Sequence, residues 1–186
     1  MKTIKFKLNT ESINNAINEL KKYRDSLPGK CQEFVDRLVS MGISVASMNT
    51  GDYTNYIEFS KEVNPEKYGA TAIMKASSEN IVRRWLTKEG VMEAEVSPIL
   101  MAEFGSGNYA SNAGSGQPNA SLAMQLGMGQ GTFPGQTHAF DEEWHWLDLS
   151  GEWHSSSGEI PTMPVFKAFL EMENDVKMVA KEVFNS

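Results

Sequence analysis

Val91-Met92-Glu93-Ala94-Glu95-Val96-Ser97-Pro98-Ile99-Leu100-Met101-Ala102-Glu103-Phe104-Gly105 changes its periodicity within one short run. Met92, Ala94 and Val96 alternate with Glu93 and Glu95, the pattern of a strand with one dry and one wet face. Ser97-Pro98 then supplies a cap and a first-turn proline. Ile99 to Phe104 suit a short helix, and Gly105 stops it. Just upstream, Asn80 to Leu86 reads as a partner strand, with Lys88-Glu89-Gly90 as the turn. Antiparallel strands that run straight into a helix point to an α+β fold.

Working outward, the N-terminal side is helical. Residues 3–8 alternate as a short strand, and Asn9 or Thr10 can then cap a helix. With Asn9 as the cap, Leu8 and Ile13 fall at the two staple positions. The stripe Ile13, Ile17, Leu20, Tyr23, Leu27 keeps helical spacing up to Leu27-Pro28-Gly29. A second stripe, Cys31, Phe34, Val35, Leu38, Met41, Val45, continues to about Asn49-Thr50-Gly51. The reading is two helices, or one long helix kinked near Pro28. Both stripes are narrow and backed by charge, so this region is expected to lie across a flat apolar surface. Residues 54–63 and 68–76 supply two more strands, joined by a turn at Asn64-Pro65-Glu66-Lys67.

On the C-terminal side the character changes. From Phe104 to Phe140 there is no Asp, Glu, Lys or Arg, and eight of the fifteen glycines fall here. Residues 105–137 are therefore expected to form a long, flexible, uncharged Gly/Ser/Asn-rich loop. Trp144, Trp146 and Trp153 come next, in what reads as a hairpin turning at Asp148-Leu149-Ser150-Gly151. Gly158 to Pro164 leads into a last helix with the stripe Phe166, Phe169 or Leu170, Met172 or Glu173, Val176, Val179, Ala180, Val183. The expected architecture is a single α+β domain over 1–186. Its mixed, mostly antiparallel sheet packs against a long N-terminal helix and a C-terminal helix.

The chain has 186 residues, a net charge of −7 and one cysteine, Cys31. Its acidity and scattered cations (Lys5, Lys7, Arg83, Arg84) argue against direct nucleic-acid binding. Cys31 alone excludes a disulfide framework, and its place on an apolar stripe suits a buried thiol. No apolar run reaches membrane-spanning length, and no signal-peptide h-region opens the chain, so synthesis and residence in a cytoplasm are expected.

Catalytic patterns are missing. There is no Gly-x-Ser-x-Gly elbow, no phosphate-cradling Gly-x-x-x-x-Gly-Lys, and Gly105-Ser106-Gly107 lacks the strand-turn-helix setting of a nucleophile. Glu93 and Glu95 share one strand face, as a glycosidase pair would, and a solvated sheet edge explains them better. His138, Asp141, Glu142, Glu143, His145 and His154 are zinc-ligand types within 17 residues. Their spacing fits no His-Glu-x-x-His helix. On a hairpin, His145 and His154 can face each other, and aromatic pairing of the neighbouring tryptophans accounts for the same arrangement. A metal-dependent hydrolase at His138, His145 and His154 is thus a minor alternative. A glycan- or peptide-binding module using the three tryptophans is a stronger one. No catalytic residue, cofactor or metal is assigned.

Three segments carry a family likeness. The first is Ser12-Ile13-Asn14-Asn15-Ala16-Ile17-Asn18-Glu19-Leu20 through Cys31, Leu38 and Gly42-Ile43-Ser44-Val45-Ala46. The second is Met101-Ala102-Glu103-Phe104-Gly105-Ser106-Gly107, a helix end of Glu-Phe-Gly-x-Gly form. The third joins Glu152-Trp153-His154, the Met163-Pro164 turn and the closing Ala180-Lys181-Glu182-Val183-Phe184. In this order the chain resembles the tail-completion, or neck, proteins of long-tailed phages and prophages, often described as minor tail components. It departs from them at Ser106, where threonine is usual, and at Met163-Pro164-Val165-Phe166, where the family carries an Arg-Pro-Phe turn. The loop after Gly107 also lacks the family's charged and proline-rich residues.

The resemblance implies an α+β domain that assembles as a ring at the head–tail joint or tail end, without catalysis. Its partners would be further copies of itself and other phage head and tail proteins. It would be built in the bacterial cytoplasm and carried in the virion, with no membrane or direct nucleic-acid contact. Phe104, Tyr109, Leu122, Met124, Leu126, Met128, Phe133, Trp144, Trp146 and Trp153 are the expected interface residues. Excising residues 108–135 is expected to leave a folded monomer that cannot assemble.

Overall fold

A computed structural model describes residues 9–109, 120–128 and 143–185. The expected strand at 3–8 lies outside them. The first helix, α1 (Thr10–Met48), is one continuous element of 39 residues with Pro28 inside it. Of the two readings of this region, the single helix holds. Asn9 is its cap: Asn9 Oδ1 accepts a hydrogen bond from Ser12 N at 2.8 Å. At the other end Asn49 Nδ2 donates to Val45 O at 2.8 Å, occupying a terminal carbonyl.

The strands β1 (Ile57–Glu66) and β2 (Gly69–Ser78) form a two-stranded sheet. Their turn is Lys67-Tyr68, two residues later than the Pro65-Glu66 centre of the expected turn. β1 runs straight through Pro65, which the outer side of an edge strand tolerates because no ladder N–H is needed there. Next come β3 (Ile81–Thr87) and β4 (Gly90–Val96), paired antiparallel from Ile81↔Val96 to Thr87↔Gly90. The helix α2 (Pro98–Phe104) starts two residues later with Pro98 in its first turn, and Gly105 closes it at φ 68°. Ser97 occupies the cap position without a side-chain bond. Within the expected loop lies a short helix, α3 (Ala120–Gln125). The second sheet is completed by β5 (Trp144–Leu147) and β6 (Trp153–Ser156) in the order β4-β3-β5-β6. The helix α4 (Pro164–Asn185) ends the described chain. The fold is α+β with antiparallel sheets.

These elements gather into two compact units. Unit 1 takes α1 as far as Ser44, Ser60–Lys75 of the first hairpin, and α4 from Ala168 onward. In it α1 and α4 run antiparallel, since Lys30 Nζ reaches Val183 O at 3.0 Å while Gly42 sits against Met172. Phe34 and Phe184 pack with ring centroids 5.8 Å apart. Val39, Val179 and Val183 are buried. Lys61 ties the hairpin to α1 through Asp36 and Ser40. The outer turns of α1 are not covered: Ile13, Ile17 and Leu20 are exposed.

Unit 2 holds Val45–Phe59 and Ala76–Lys167. Its core comprises Tyr53, Ile57, Val96, Met101, Ala102, Phe104, Ala123 and Met128. Within the expected loop, Ala123 and Met128 reach this core. Small and unbranched apolar side chains in that stretch form a short helix with its exit turn and fill the core.

Candidate interaction surface

The Met101–Gly107 motif is a clasp. Its backbone is stitched to the segment before α4. Ser106 N donates to Glu159 O at 2.9 Å, Glu159 N donates to Ser106 O at 3.2 Å, and Asn108 N donates to Ser157 O at 3.0 Å. This close approach needs glycine. A Cβ on Gly158, at φ 107°, would lie 2.2 Å from Ser106 O, and one on Gly105 would lie 2.5 Å from Glu159 O. Tyr53 adds a side-chain bond to the Glu159 carboxylate. Burial, and then the adjoining carboxylate, raise its phenol well above the ordinary range.

Glu103 serves the same junction. Its carboxylate accepts from Val165 N at 2.8 Å and from Phe166 N at 3.1 Å. Met163 N donates to Ala102 O at 3.0 Å, and Pro164 has no N–H to satisfy. The amide donors that open α4 are therefore met by the end of α2. Glu103 is only 8% exposed. Burial raises its pKa, against the opposing pull of the two amides and Lys167. This part of the family-like motif is a structural joint.

The aromatic hairpin is organised by Asp148. Its Oδ1 accepts from Ser150 N (2.8 Å), Ser150 Oγ (2.6 Å) and Glu152 N (2.9 Å), while Oδ2 meets His154 Nε2 at 2.9 Å. These bonds, those from Ser150 foremost, hold its carboxyl far below the usual range. The register is Trp146↔His154 and His145↔Ser155. His145 and His154 thus occupy opposite faces and do not converge, contrary to expectation. Trp146 instead stacks on His154, with centroids 5.5 Å apart.

Ligand-type atoms of Asp148, Glu152 and His154 lie within 4.8 Å of one another. Asp148 is already saturated by the turn, so the arrangement reads first as hairpin architecture. His138, Asp141 and Glu142 lie outside the described residues. Glu93 and Glu95 behave as a wet sheet face: Glu93 meets Arg84 Nε at 3.0 Å, and Glu95 accepts from Asn80 Nδ2 at 3.0 Å.

The chain matches no protein-family model, no curated protein and no solved structure. Phe104 and Met128, expected at an interface, are buried in the unit 2 core and present nothing outward. Leu122, Leu126, Tyr109, Met124 and Trp153 are exposed, the last two to 72% and 73%. Trp146 is half-buried. Phe133 and the side chain of Trp144 lie outside what the structure describes.

Two apolar features escape a reading of the sequence. In unit 1 a groove of about 390 Å³ opens between Val35, Leu38, Met74, Phe169 and Val176. At the β1–β2 turn Tyr68 stands 87% exposed. The groove is lined from three elements, α1, β2 and α4, which no single stripe reveals. Tyr68 carries a signal, an aromatic beside turn residues, but a turn placed two positions too early puts it at the start of a strand.

Proposed function

We propose that the chain is a structural subunit of a phage or prophage neck or tail that assembles with copies of itself into a ring. The observation that carries this reading is α3 and its exit turn, where Leu122, Met124 and Leu126 all face outward while Ala123 and Met128 face the core. Helices apolar on all sides are normally covered, and large apolar patches on a surface mark association sites. The resemblance in motif order supplies the class, and the exposed apolar ends of α1 agree with it.

The test begins with particles. A phage or prophage lacking this gene should accumulate unjoined heads and tails, and normally joined particles would refute the role. Excising 108–135 would not serve, because it removes Ala123 and Met128 from the core. The triple substitution Leu122→Ser, Met124→Ser, Leu126→Ser leaves both in place. It should give a folded protein of monomer mass by light scattering, from a parent that forms rings.

A binding module is the second reading. Trp153 stands free on β6, a platform on which a sugar ring or peptide side chain can stack. Quenching of tryptophan fluorescence by a glycan or peptide panel, absent in Trp153→Ala, would favour it.

A further inference from the structure

Resting on the ring-subunit reading, we infer that neighbouring copies join by a knob and a hole: Tyr68 of one copy enters a pocket beside α3 of the next.

The hole lies wholly in unit 2. Val96, Leu100, Met101, Leu126 and Met128 supply its apolar lining, and Glu95 and Asn80 border it with polar groups. Its volume is about 240 Å³. A cavity of roughly 150 Å³ accepts a benzene ring, so this one has room for a single phenol and little more. In that lining Val96, Met101 and Met128 are buried, while Leu126 is exposed.

The knob lies wholly in unit 1. Tyr68 sits on the two-residue turn of a hairpin with ten-residue strands, projecting into solvent. Lys67 Nζ hangs 5.0 Å from the centre of its ring. A tyrosine side chain has only two χ angles and loses little conformational freedom on docking, and such aromatics dominate interfaces.

Charge fixes the pairing. Among the described residues neither Lys67 nor Glu95 has a salt-bridge partner; Glu95 accepts one neutral hydrogen bond, from Asn80 Nδ2, which leaves its charge uncompensated. When the ring of Tyr68 fills the hole, the ammonium beside it comes up to Glu95. The hydrophobic contact supplies affinity and the ion pair supplies orientation. Knob and hole are different surfaces, so the contact is heterologous. That is the type that closes a ring when its rotation permits.

The experiment uses the full chain, with Cys31→Ser as background. Gly69→Cys, beside an intact Tyr68, and Ser97→Cys, on the lining of the hole, are prepared as separate proteins, mixed and mildly oxidised. A disulfide-linked dimer should form in the mixture at far higher yield than in either protein alone. In parallel, sedimentation measures self-association. Tyr68→Ala, checked for folding by circular dichroism, should weaken it at least about 30-fold, the size of a hot-spot loss. Glu95→Lys should weaken it too, and adding Lys67→Glu should restore it. A parent that assembles, together with a Tyr68→Ala variant that assembles equally and no mixed disulfide, would overturn the knob and hole while leaving the ring reading intact. A parent that stays monomeric at every concentration, with no mixed disulfide, would overturn both.

Discussion

Removing the carboxylate of Glu103 should loosen the whole α2–α4 junction. In the folded chain this group accepts two amide bonds, from Val165 and Phe166, in a site almost closed to water. In Glu103→Ala both donors lose their acceptor. Each buried donor left unsatisfied costs about 1–3 kcal/mol. Part of that loss is returned, because the buried carboxylate no longer has to be desolvated, the effect that raises its pKa. The net expectation is a loss of about 2–4 kcal/mol. That lowers the melting temperature by about 2–4 °C for each kcal/mol in a chain of this size. Glu103→Gln keeps one acceptor oxygen and should fall between the parent and Glu103→Ala.

The pH dependence gives an independent check on sign. A carboxyl with a raised folded pKa contributes its full stability below the ordinary carboxylate value, where both states are protonated. As pH climbs from that value towards the raised one, the unfolded chain releases its proton first, and the contribution is lost. The stability difference between parent and Glu103→Gln should therefore shrink with rising pH across that window and then level off. Urea unfolding at a series of pH values measures both quantities. A Glu103→Ala loss below about 0.5 kcal/mol, typical of an uninvolved surface site, would refute the capping argument. A difference that grows with pH would refute the claim that burial outweighs the amide bonds.

Two other perturbations test the same geometry. Gly158→Ala forces a Cβ against Ser106 O at a φ reserved for glycine. It should cost about 2–5 kcal/mol from strain and overpacking together, visible as an early thermal transition by circular dichroism. A change under about 1 kcal/mol would mean the clasp can open without loss. Asp148→Ala should free the amides of Ser150 and Glu152, accelerating their hydrogen exchange while exchange in α1 is unaffected. In the parent, the lowered pKa of Asp148 means that its contribution is present above the ordinary carboxylate value and is lost as pH falls through the folded one. Hairpin protection factors, which correct for the intrinsic pH dependence of amide exchange, should therefore fall at acid pH, and pH-independent protection would contradict this.

The sequence is most legible where a residue acts on its own neighbours. Asn9, Gly105 and the Lys88-Glu89 turn announce themselves by local backbone chemistry, and each is found where expected. Pro65 misleads for the opposite reason, and Pro28 leaves two readings open where only one holds. A proline ends a helix or strand only when the lost bond and the clash outweigh the packing on either side, and here α1 and β1 run on through them. The histidines show a third limit. Facing across a hairpin depends on register, and a slip of one residue moves a side chain to the other face. Glu103 gives no signal in the sequence because its partners lie more than sixty positions away. Spacing draws attention instead to Glu93 and Glu95, which are ordinary solvated acids.

The charge-free stretch after Phe104 is where composition alone points two ways. Many glycines and no charge suggest a chain without a core, yet a segment without charge can be buried at no Coulombic cost. Ala123 and Met128 take that second course; helical spacing then turns Leu122 and Met124 away from Ala123, and Leu126 in the exit turn is exposed as well. A helix of six residues and the turn after it have too few positions to hide all five of these side chains behind one face. The outward three must remain wet or be covered by another molecule. The cost of leaving them wet grows with each apolar surface added beside them, and Leu126 already borders a cavity. The same residues that make this segment part of the fold therefore make it the strongest candidate for contact beyond it.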